Sequence, residues 1–257
     1  MEERNENKLS FWLKEEAQAF KGWDFSHMDG RWAFEDLPWG YEDLVKEYLS
    51  PDLQLLDMGT GGGEMLLTLK HPYEHTTVTE AYPPNIALIQ KTLTPLGITV
   101  VPVEQDDVLP IDNDSFDIVI NRHESFDADE VFRVLKPSGV FITQQVGGQN
   151  NRALSELLIK DFESPYPSWD VANAAKDLEA AGFDILNEKE AFPKLTFLDT
   201  GAIVYFAKII EWEFPGFSVA ACREPLEAIE RTIQGTGHFV SIEHRFLLAA
   251  KKPRTNK

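Results

Sequence analysis

Short apolar runs alternate along the chain with segments in which apolar residues recur at helical spacing. The runs typical of strands lie at 54–58, 76–80, 98–103, 115–120, 140–146, 183–192 and 239–250. Helices are predicted at 41–49, from about Gly63 onward, and at 83–96, 129–135, 151–162 and 171–181. Strands that alternate with helices are typical of an α/β fold built on a mostly parallel sheet.

Two segments exceed what such a fold needs. Residues 1–50 precede the first strand and carry an irregular helical face with dense aromatic residues, which indicates either packing onto the main domain or a helical lid. Residues 193–237, between the sixth and seventh strands, contain two helical patterns, which indicates a cap-like insertion, a dimer face or a structural addition. The predicted organisation is therefore an N-terminal extension (1–50) and one domain (51–257) with an insertion at about 193–237.

A glycine cluster, G-T-G-G-G at 59–63, directly follows the first predicted strand. Residues without a Cβ allow the chain to reverse and allow a ligand to approach the backbone. The helix that begins near Gly63 directs unpaired N–H groups, with partial positive charge, above the strand. The turn is predicted to bind a ligand with a polar or anionic end; the alternative is a glycine-rich turn without a ligand.

Two phosphate-binding patterns do not fit this turn. The pattern G-x-G-x-x-G has Glu64 in its sixth position when counted from Gly59, and Leu66 when counted from Gly61. The pattern G-x-x-x-x-G-K-[ST] is also absent from the sequence. A nicotinamide-dependent oxidoreductase is therefore disfavoured.

Three further features follow in order. Glu80 ends the second predicted strand about 20 residues after the glycine turn, where a carboxylate can accept hydrogen bonds from both ribose hydroxyls. The segment 114–119 reads D-S-F-D-I-V and leads into the fourth strand. The segment 133–141 reads R-V-L-K-P-S-G-V-F and leads into the fifth.

Together with L-L-D-M-G-T-G-G-G at 55–63, these segments resemble class I S-adenosylmethionine-dependent methyltransferases, in particular UbiE-like domains that act on small molecules. The resemblance covers residues 53–146 well, the last strand loosely and the flanks poorly. It implies a Rossmann-like seven-stranded mixed sheet with an antiparallel last strand and helices on both faces. It also implies S-adenosyl-L-methionine as the cofactor.

The resemblance further implies which residues contact the cofactor. Gly59 and Gly61 let the backbone pass the amino-acid tail, and Asp57 organises the ammonium end. An acid after the third strand contacts the adenine amino group, and Asp106 is chosen here by a one-residue shift. The predicted cofactor contacts are Asp57, Gly59, Thr60, Gly61, Glu80, Ala81, Asp106, Asp107, Val108 and Asn121.

Four polar residues follow the nearly all-apolar fourth strand, at 121–124. Ligands of open α/β sheets bind beyond the carboxyl ends of the strands, so these side chains are predicted to border the methyl group. His123 is the candidate general base because its ordinary pKa lies near neutrality. Arg122 is a candidate clamp for a substrate carboxylate, and Glu124 a candidate to orient His123 or cap the next helix. The alternative is a cluster that serves only folding or cofactor contacts.

Composition limits the partners. The net charge of −19, from 43 acids and 24 bases, opposes binding to nucleic acid and to anionic membranes. The N-terminus has no apolar segment typical of a signal peptide, and Cys222 is the only cysteine, so a cytoplasmic protein is expected. No cluster of residues has metal-ligand spacing, so no metal is expected.

The predicted function is a methyltransferase for a small-molecule acceptor, which works mainly by alignment with possible help from His123 as a base. The alternatives are an RNA or protein methyltransferase and a non-catalytic cofactor-binding protein. The residues do not distinguish a monomer from a homodimer.

Overall fold

The computed structural model describes residues 2–20, 24–104 and 108–254. Contacts divide the chain into two compact units. The larger one, which we call the sheet unit, contains Pro38–Val146, Trp169–Ala191 and Arg245–Lys257. The second, which we call the small unit, contains Met1–Leu37, Gly147–Ser168 and Phe192–His244.

The strands divide between a seven-stranded sheet in the sheet unit and a three-stranded sheet, β1-β8-β9, in the small unit. In chain order they are β1 (Trp32–Phe34), β2 (Leu55–Met58), β3 (Thr76–Glu80), β4 (Thr99–Pro102), β5 (Phe116–Arg122), β6 (Leu135–Val146), β7 (Asp184–Ala191), β8 (Lys194–Phe197), β9 (Phe239–Ile242) and β10 (Arg245–Lys251).

The α-helices also belong to both units. In chain order they are α1 (Glu2–Ala17), α2 (Tyr41–Tyr48), α3 (Glu64–Thr68), α4 (Pro83–Thr92), α5 (Ala128–Val134), α6 (Arg152–Leu158), α7 (Val171–Ala180), α8 (Thr200–Ile209) and α9 (Arg223–Thr236).

The large sheet has the strand order β4-β3-β2-β5-β6-β10-β7. Neighbouring strands from β4 to β6 are parallel, whereas β10 pairs antiparallel with both β6 and β7. The predicted Rossmann-like mixed sheet with an antiparallel last strand is therefore confirmed. The carboxyl ends of β2 and β5 are neighbours, so the residues that follow them share one edge of the sheet.

Side-chain alternation along the central strands builds a core on each face of this sheet. Leu55, Ile118 and Ile142 pack on one side with residues of α2, α3 and α4. Leu56 and Val119, one position along, pack on the other side with residues of α5 and α7. Because both faces are covered, the strands are apolar at nearly every position, as the sequence pattern indicates.

The prediction of one strand over 239–250 is wrong. The chain forms β9 in the small unit and β10 in the sheet unit, with a break at Glu243 and His244. At this break the Glu243 N–H donates to Pro193 O, directly before β8, and the His244 N–H donates to the side-chain Oδ1 of Asn150. His244, at this break, is fully buried.

The two helical patterns predicted within 193–237 are confirmed as α8 and α9. Both contribute to the core of the small unit, and aromatic residues from the start of the chain pack onto α8: the rings of Phe20 and Tyr205 lie 6.3 Å apart, and those of Trp32 and Phe206 lie 6.1 Å apart. The part of the N-terminal extension up to Leu37 thus shares one core with the insertion, whereas α2 packs in the sheet unit.

An ion-pair network ties the same segments together. The guanidinium of Arg31 donates to Asp199 Oδ1 at 2.6 Å and to Glu15 Oε2 at 3.1 Å. Asp199 also caps α8 by accepting from the backbone N–H of Ala202 at 2.8 Å.

Among the described residues, no helix is long and apolar enough to cross a membrane.

Candidate active site at the carboxyl edge of the sheet

The glycine turn connects β2 to α3 as the sequence predicts. Gly59, Gly61 and Gly63 all have positive φ, at 65°, 62° and 84°, which is the backbone region that favours glycine. The backbone N–H of Thr60 donates to Thr79 O at 3.1 Å, which fastens the turn to β3. The turn is therefore a fixed element rather than a loose loop.

Two of these glycines have different surroundings. A Cβ on Gly59 would lie 2.4 Å from Cγ of Glu124, so this position has no room for a side chain. A Cβ on Gly61 would meet nothing within 4 Å, so open space adjoins the backbone there. Gly61 is thus the point where a ligand can approach the turn most closely.

The carboxylate of Glu80 organises the turn from the end of β3. Oε2 accepts from the Gly61 N–H at 2.8 Å and from Asn85 Nδ2 at 3.4 Å. Oε1 accepts from the backbone N–H groups of Ala81 at 3.0 Å and Tyr82 at 2.9 Å. Glu80 is almost fully buried, so these four bonds replace the water that a carboxylate would otherwise require.

Asp57 presents a buried acceptor without a donor. The residue is 2% exposed, and its Oδ2 atom has no hydrogen-bond partner among the described residues. Burial raises the pKa of Asp57 to about 7; the nearby Thr60 hydroxyl lowers it, the charge of Glu80 raises it and that of Arg122 lowers it. The Thr60 hydroxyl nevertheless has no partner in hydrogen-bond geometry among the described residues. Asp57 Oδ2 and Thr60 Oγ1 therefore fit a site at which a cationic ligand with hydrogen-bond donors supplies the missing partners.

The side chain of Asn121, at the end of β5, is fully buried and bonded within the protein. Its Oδ1 accepts from Thr143 Oγ1 at 2.9 Å and from Gln145 Nε2 at 2.6 Å, and its Nδ2 donates to Ser125 O at 3.3 Å. The Asn121 carbonyl accepts from the Tyr41 hydroxyl at 3.1 Å. This arrangement suits a residue that fixes the strand end, and a direct cofactor contact stays a prediction.

Arg122 ends β5 with an exposed guanidinium that lies 5.9 Å from the centre of the Tyr41 ring. Burial raises the pKa of Tyr41 well above its ordinary value, so its phenol stays neutral. Within the described parts of the chain, no carboxylate lies within ion-pair distance of Arg122. Its charge is thus available to an anionic group.

His123 follows in a left-handed backbone conformation, with φ 62°. Its Nε2 lies 3.1 Å from Gln144 Nε2, and Gln144 Oε1 accepts from Trp39 Nε1 at 2.9 Å. Desolvation, then the charges of Arg245 and Arg122, lower the pKa of His123 to about 3. The imidazole is therefore neutral at pH 7.

Glu124 lies against the turn, with its side chain over Gly59. Asp127 caps α5 in its place, by accepting from the Glu130 N–H at 2.8 Å. The helix-capping role considered for Glu124 is therefore wrong, and the ring partner seen for His123 is Gln144.

The predicted adenine contacts are only partly visible. Asp106 and Asp107 lie outside the described residues. Val108 is 70% exposed, and Ala81 is exposed with its N–H bonded to Glu80. These assignments stay predictions.

Sequence reasoning missed Trp39, Tyr41, Gln144 and Gln145. A signal existed for the two glutamines, because T-Q-Q at 143–145 places amides at the carboxyl end of an otherwise apolar buried strand.

Among the described residues, no group of three or more His, Cys, Asp or Glu has an arrangement that could hold a metal ion.

Comparison with protein families matches residues 56–143 to the family described as methyltransferase domain. The match spans the glycine turn, Glu80 and the polar residues after β5. Comparison with curated proteins finds no match.

Solved structures share the fold at low identity. They include a candidate methyltransferase from Bacillus halodurans C-125 (16% identity, TM-score 0.57, 83% of this chain and 98% of that chain) and the YcgJ protein from Bacillus subtilis (14%, 0.55, 83% and 98%). The [4+2]-cyclase SpnF is also similar (18%, 0.50, 83% and 80%). At these identities the likeness establishes the fold.

Proposed function

We propose that this chain, a class I S-adenosylmethionine-dependent methyltransferase by its matched domain and its fold, methylates a small-molecule acceptor. The observation that carries the proposal is the turn at 59–63, which combines open space at Gly61 with the unpartnered buried carboxylate oxygen of Asp57. A ligand with a cationic, donor-bearing end satisfies both features.

The residues of the turn fit the amino-acid end of S-adenosyl-L-methionine. Asp57 would face the ammonium group, because a cation beside a buried carboxylate restores its ionised form. Gly61 would let the ligand lie against the backbone. The Thr60 hydroxyl, buried without a partner, adds a second polar atom for the ligand.

Glu80 fits the ribose. Its bond from Asn85 is the longest of four, at 3.4 Å, so it is the bond that an incoming sugar hydroxyl would most readily replace. The three backbone N–H bonds hold the carboxylate in a fixed orientation. Glu80 therefore both shapes the turn and offers acceptor oxygens to a diol.

S-Adenosyl-L-methionine, when bound, supplies a methyl group on a positively charged sulfur. Such a group needs alignment with a nucleophile more than activation. The residues after β5 would orient the acceptor, with Arg122 binding an anionic group. His123 holds a proton only weakly near pH 7, so alignment rather than proton removal by this ring supplies the rate.

The charge of the molecule supports a small acceptor. A net charge of −19 repels RNA, and the sequence has no basic patch interleaved with aromatic residues. Selection of the acceptor by the N-terminal extension and the insertion stays a prediction.

Two measurements test the proposal. S-Adenosylmethionine should raise the melting temperature and NAD should not, because only a ligand that binds the folded state stabilises it. A metabolite-library screen should then detect release of S-adenosylhomocysteine with a small acceptor. Stabilisation by NAD alone would overturn the cofactor assignment; turnover only with RNA or protein would overturn the acceptor class; and binding without any turnover would indicate a non-catalytic binding protein.

A further inference from the structure

We propose that the His123 side chain is a hydrogen-bond donor, through Nδ1, to a carboxylate of the methyl acceptor, and that Arg122 binds the same carboxylate. The inference rests on the proposed function and deepens it, since it names an acidic small molecule as the acceptor. It replaces the general-base role predicted for His123 by a positioning role at the substrate.

The first step concerns the orientation of the Gln144 amide. The indole nitrogen of Trp39 carries a hydrogen and can only donate. It lies 2.9 Å from Gln144 Oε1, so the amide oxygen must face Trp39. Gln144 is 2% exposed, so water cannot replace Trp39 as the partner of the amide oxygen and the amide keeps this orientation. The amide NH₂ of Gln144 consequently faces the other way, toward His123.

The second step fixes the tautomer of the imidazole. Gln144 Nε2 lies 3.1 Å from His123 Nε2, and an amide NH₂ can only donate. His123 Nε2 must therefore be the acceptor, without a hydrogen, and the ring proton resides on Nδ1. An imidazolium would place two donors against each other, so the same contact also keeps the ring neutral.

The third step concerns the free side of the ring. The backbone N–H of His123 donates to Gln144 O at 2.8 Å, which anchors the residue in its left-handed conformation. Nδ1 has no hydrogen-bond partner within 2–20, 24–104 and 108–254, and the residue is exposed. The Trp39–Gln144 pair thus fixes Nδ1 of His123 as the nitrogen that carries the hydrogen, and this N–H can donate to solvent or to a ligand.

The fourth step identifies the ligand group. Arg122 directly precedes His123 in the chain, is exposed, and has its guanidinium 5.9 Å from the centre of the Tyr41 ring. Two neighbouring donors, one of them charged, match the two oxygens of a carboxylate. A donor on the methylated atom itself would oppose attack, because it engages the lone pair. The carboxylate is therefore a handle that positions the acceptor, and methylation occurs at another atom.

The tautomer can be measured without turnover. In protein with ¹⁵N-labelled histidine, two-bond ¹H–¹⁵N spectra show which ring nitrogen carries the proton, and His123→Asn identifies the signals. We expect His123 protonated on Nδ1 at pH 7, and loss of that preference in Trp39→Phe, where the Gln144 amide can rotate. Protonation on Nε2 in the wild-type protein would overturn the proposal.

The ligand class is tested with benzoate against benzamide, which has the same ring without the charge, in the presence of S-adenosylhomocysteine. Benzoate should shift the His123 ring signals and benzamide should not. Arg122→Gln should weaken benzoate binding at least about tenfold through loss of charge-assisted bonds, whereas Arg231→Gln, at an exposed arginine of α9, should not. Equal effects of the two probes, or none, would contradict the proposal.

Two substitutions separate positioning from base catalysis once an acceptor is known. Asparagine tolerates a left-handed backbone and places an amide near the position of Nδ1. His123→Asn should therefore retain most of kcat with a modest rise in KM, and His123→Ala should raise KM at least about tenfold with a small change in kcat. Equal loss of kcat in both variants would restore the base. If S-adenosylhomocysteine does not bind, the proposed function fails while the tautomer result still stands.

Discussion

Two carboxylates flank the glycine turn, and their environments are opposite. Glu80 accepts four hydrogen bonds, whereas one oxygen of Asp57 accepts none among the described residues although both side chains are buried. The buried oxygen of Asp57 without a donor therefore destabilises the free protein, and a cationic ligand would remove this cost. The hydrogen bonds of Glu80 instead hold the turn in one conformation.

The raised pKa of Asp57 makes stability depend on pH. Its pKa is about 7 in the folded chain against an ordinary 3.8, so the folded state holds the proton more tightly and stability falls as pH rises through this window. Asp57→Asn does not titrate, so its stability relative to wild type should rise by about 1–3 kcal/mol between about pH 5 and pH 8. Urea unfolding at several pH values measures this, with Asp129→Asn as the exposed control; parallel curves for wild type and Asp57→Asn would contradict the assignment.

Glu80→Ala removes the acceptor that shapes the turn and faces the ribose. We expect affinity for S-adenosylhomocysteine to fall by about 1–3 kcal/mol, because hydrogen bonds to a charged group are lost. Calorimetric titration measures the affinity, with Glu74→Ala, an exposed acid in the preceding turn, as the control. Unchanged affinity in Glu80→Ala would exclude the ribose role.

At the residue scale, the sequence predicts site residues that belong to a local motif and misses contacts between residues that are distant in the chain. Asp57, Gly61 and Glu80 stand at the predicted turn and strand ends, because glycine spacing and strand ends are readable locally. The contact between Trp39 and Gln144 joins positions 105 residues apart, and no local pattern predicts such a pair. The left-handed backbone of His123 is equally hidden, because non-glycine residues rarely adopt it.

At the scale of elements, two aspartate caps make a matched pair. Asp170 caps α7 by accepting from the Asn173 N–H, and Asp199 caps α8 in the same way while also binding Arg31. Asp170→Ala should cost about 1 kcal/mol of stability. Asp199→Ala should cost about 1 kcal/mol more, because a charge-assisted bond is lost with the cap.

Urea unfolding followed by helical circular dichroism compares the two variants. A smaller or equal cost for Asp199→Ala would show that the Arg31 network does not stabilise the small unit beyond the helix cap.

The sequence predicts the strands correctly where an apolar run belongs to a single sheet. It predicts them incorrectly where the chain passes from one sheet to the other. β2, β3 and β5 lie where their apolar runs predict them, and α8 and α9 lie within the predicted insertion. The run at 239–250 looks like one strand because β9 and β10 are both β-prone, and only their different partners separate them. The three-residue strand β1 was not predicted, because it depends on pairing with β8.

At the scale of the whole molecule, the charge sets the class of partner. With a net charge of −19, we expect no binding of a fluorescein-labelled single-stranded RNA at physiological salt, because phosphate contacts need clustered cations. Fluorescence anisotropy measures this binding. Tight, salt-sensitive binding would instead favour a nucleic-acid acceptor.

The central claim is that the turn at 59–63 binds S-adenosylmethionine, and a pair of glycine substitutions tests it most directly. Gly61 and Gly216 have similar positive φ, 62° and 70°, and a Cβ would meet nothing within 4 Å at either position, so alanine strains both alike. Calorimetric titration with S-adenosylmethionine should show wild-type affinity in Gly216→Ala and at least about a tenfold loss in Gly61→Ala, where the methyl group occupies the space of the ligand. Equal affinity in the two variants, or no binding by the wild-type protein, would contradict the account.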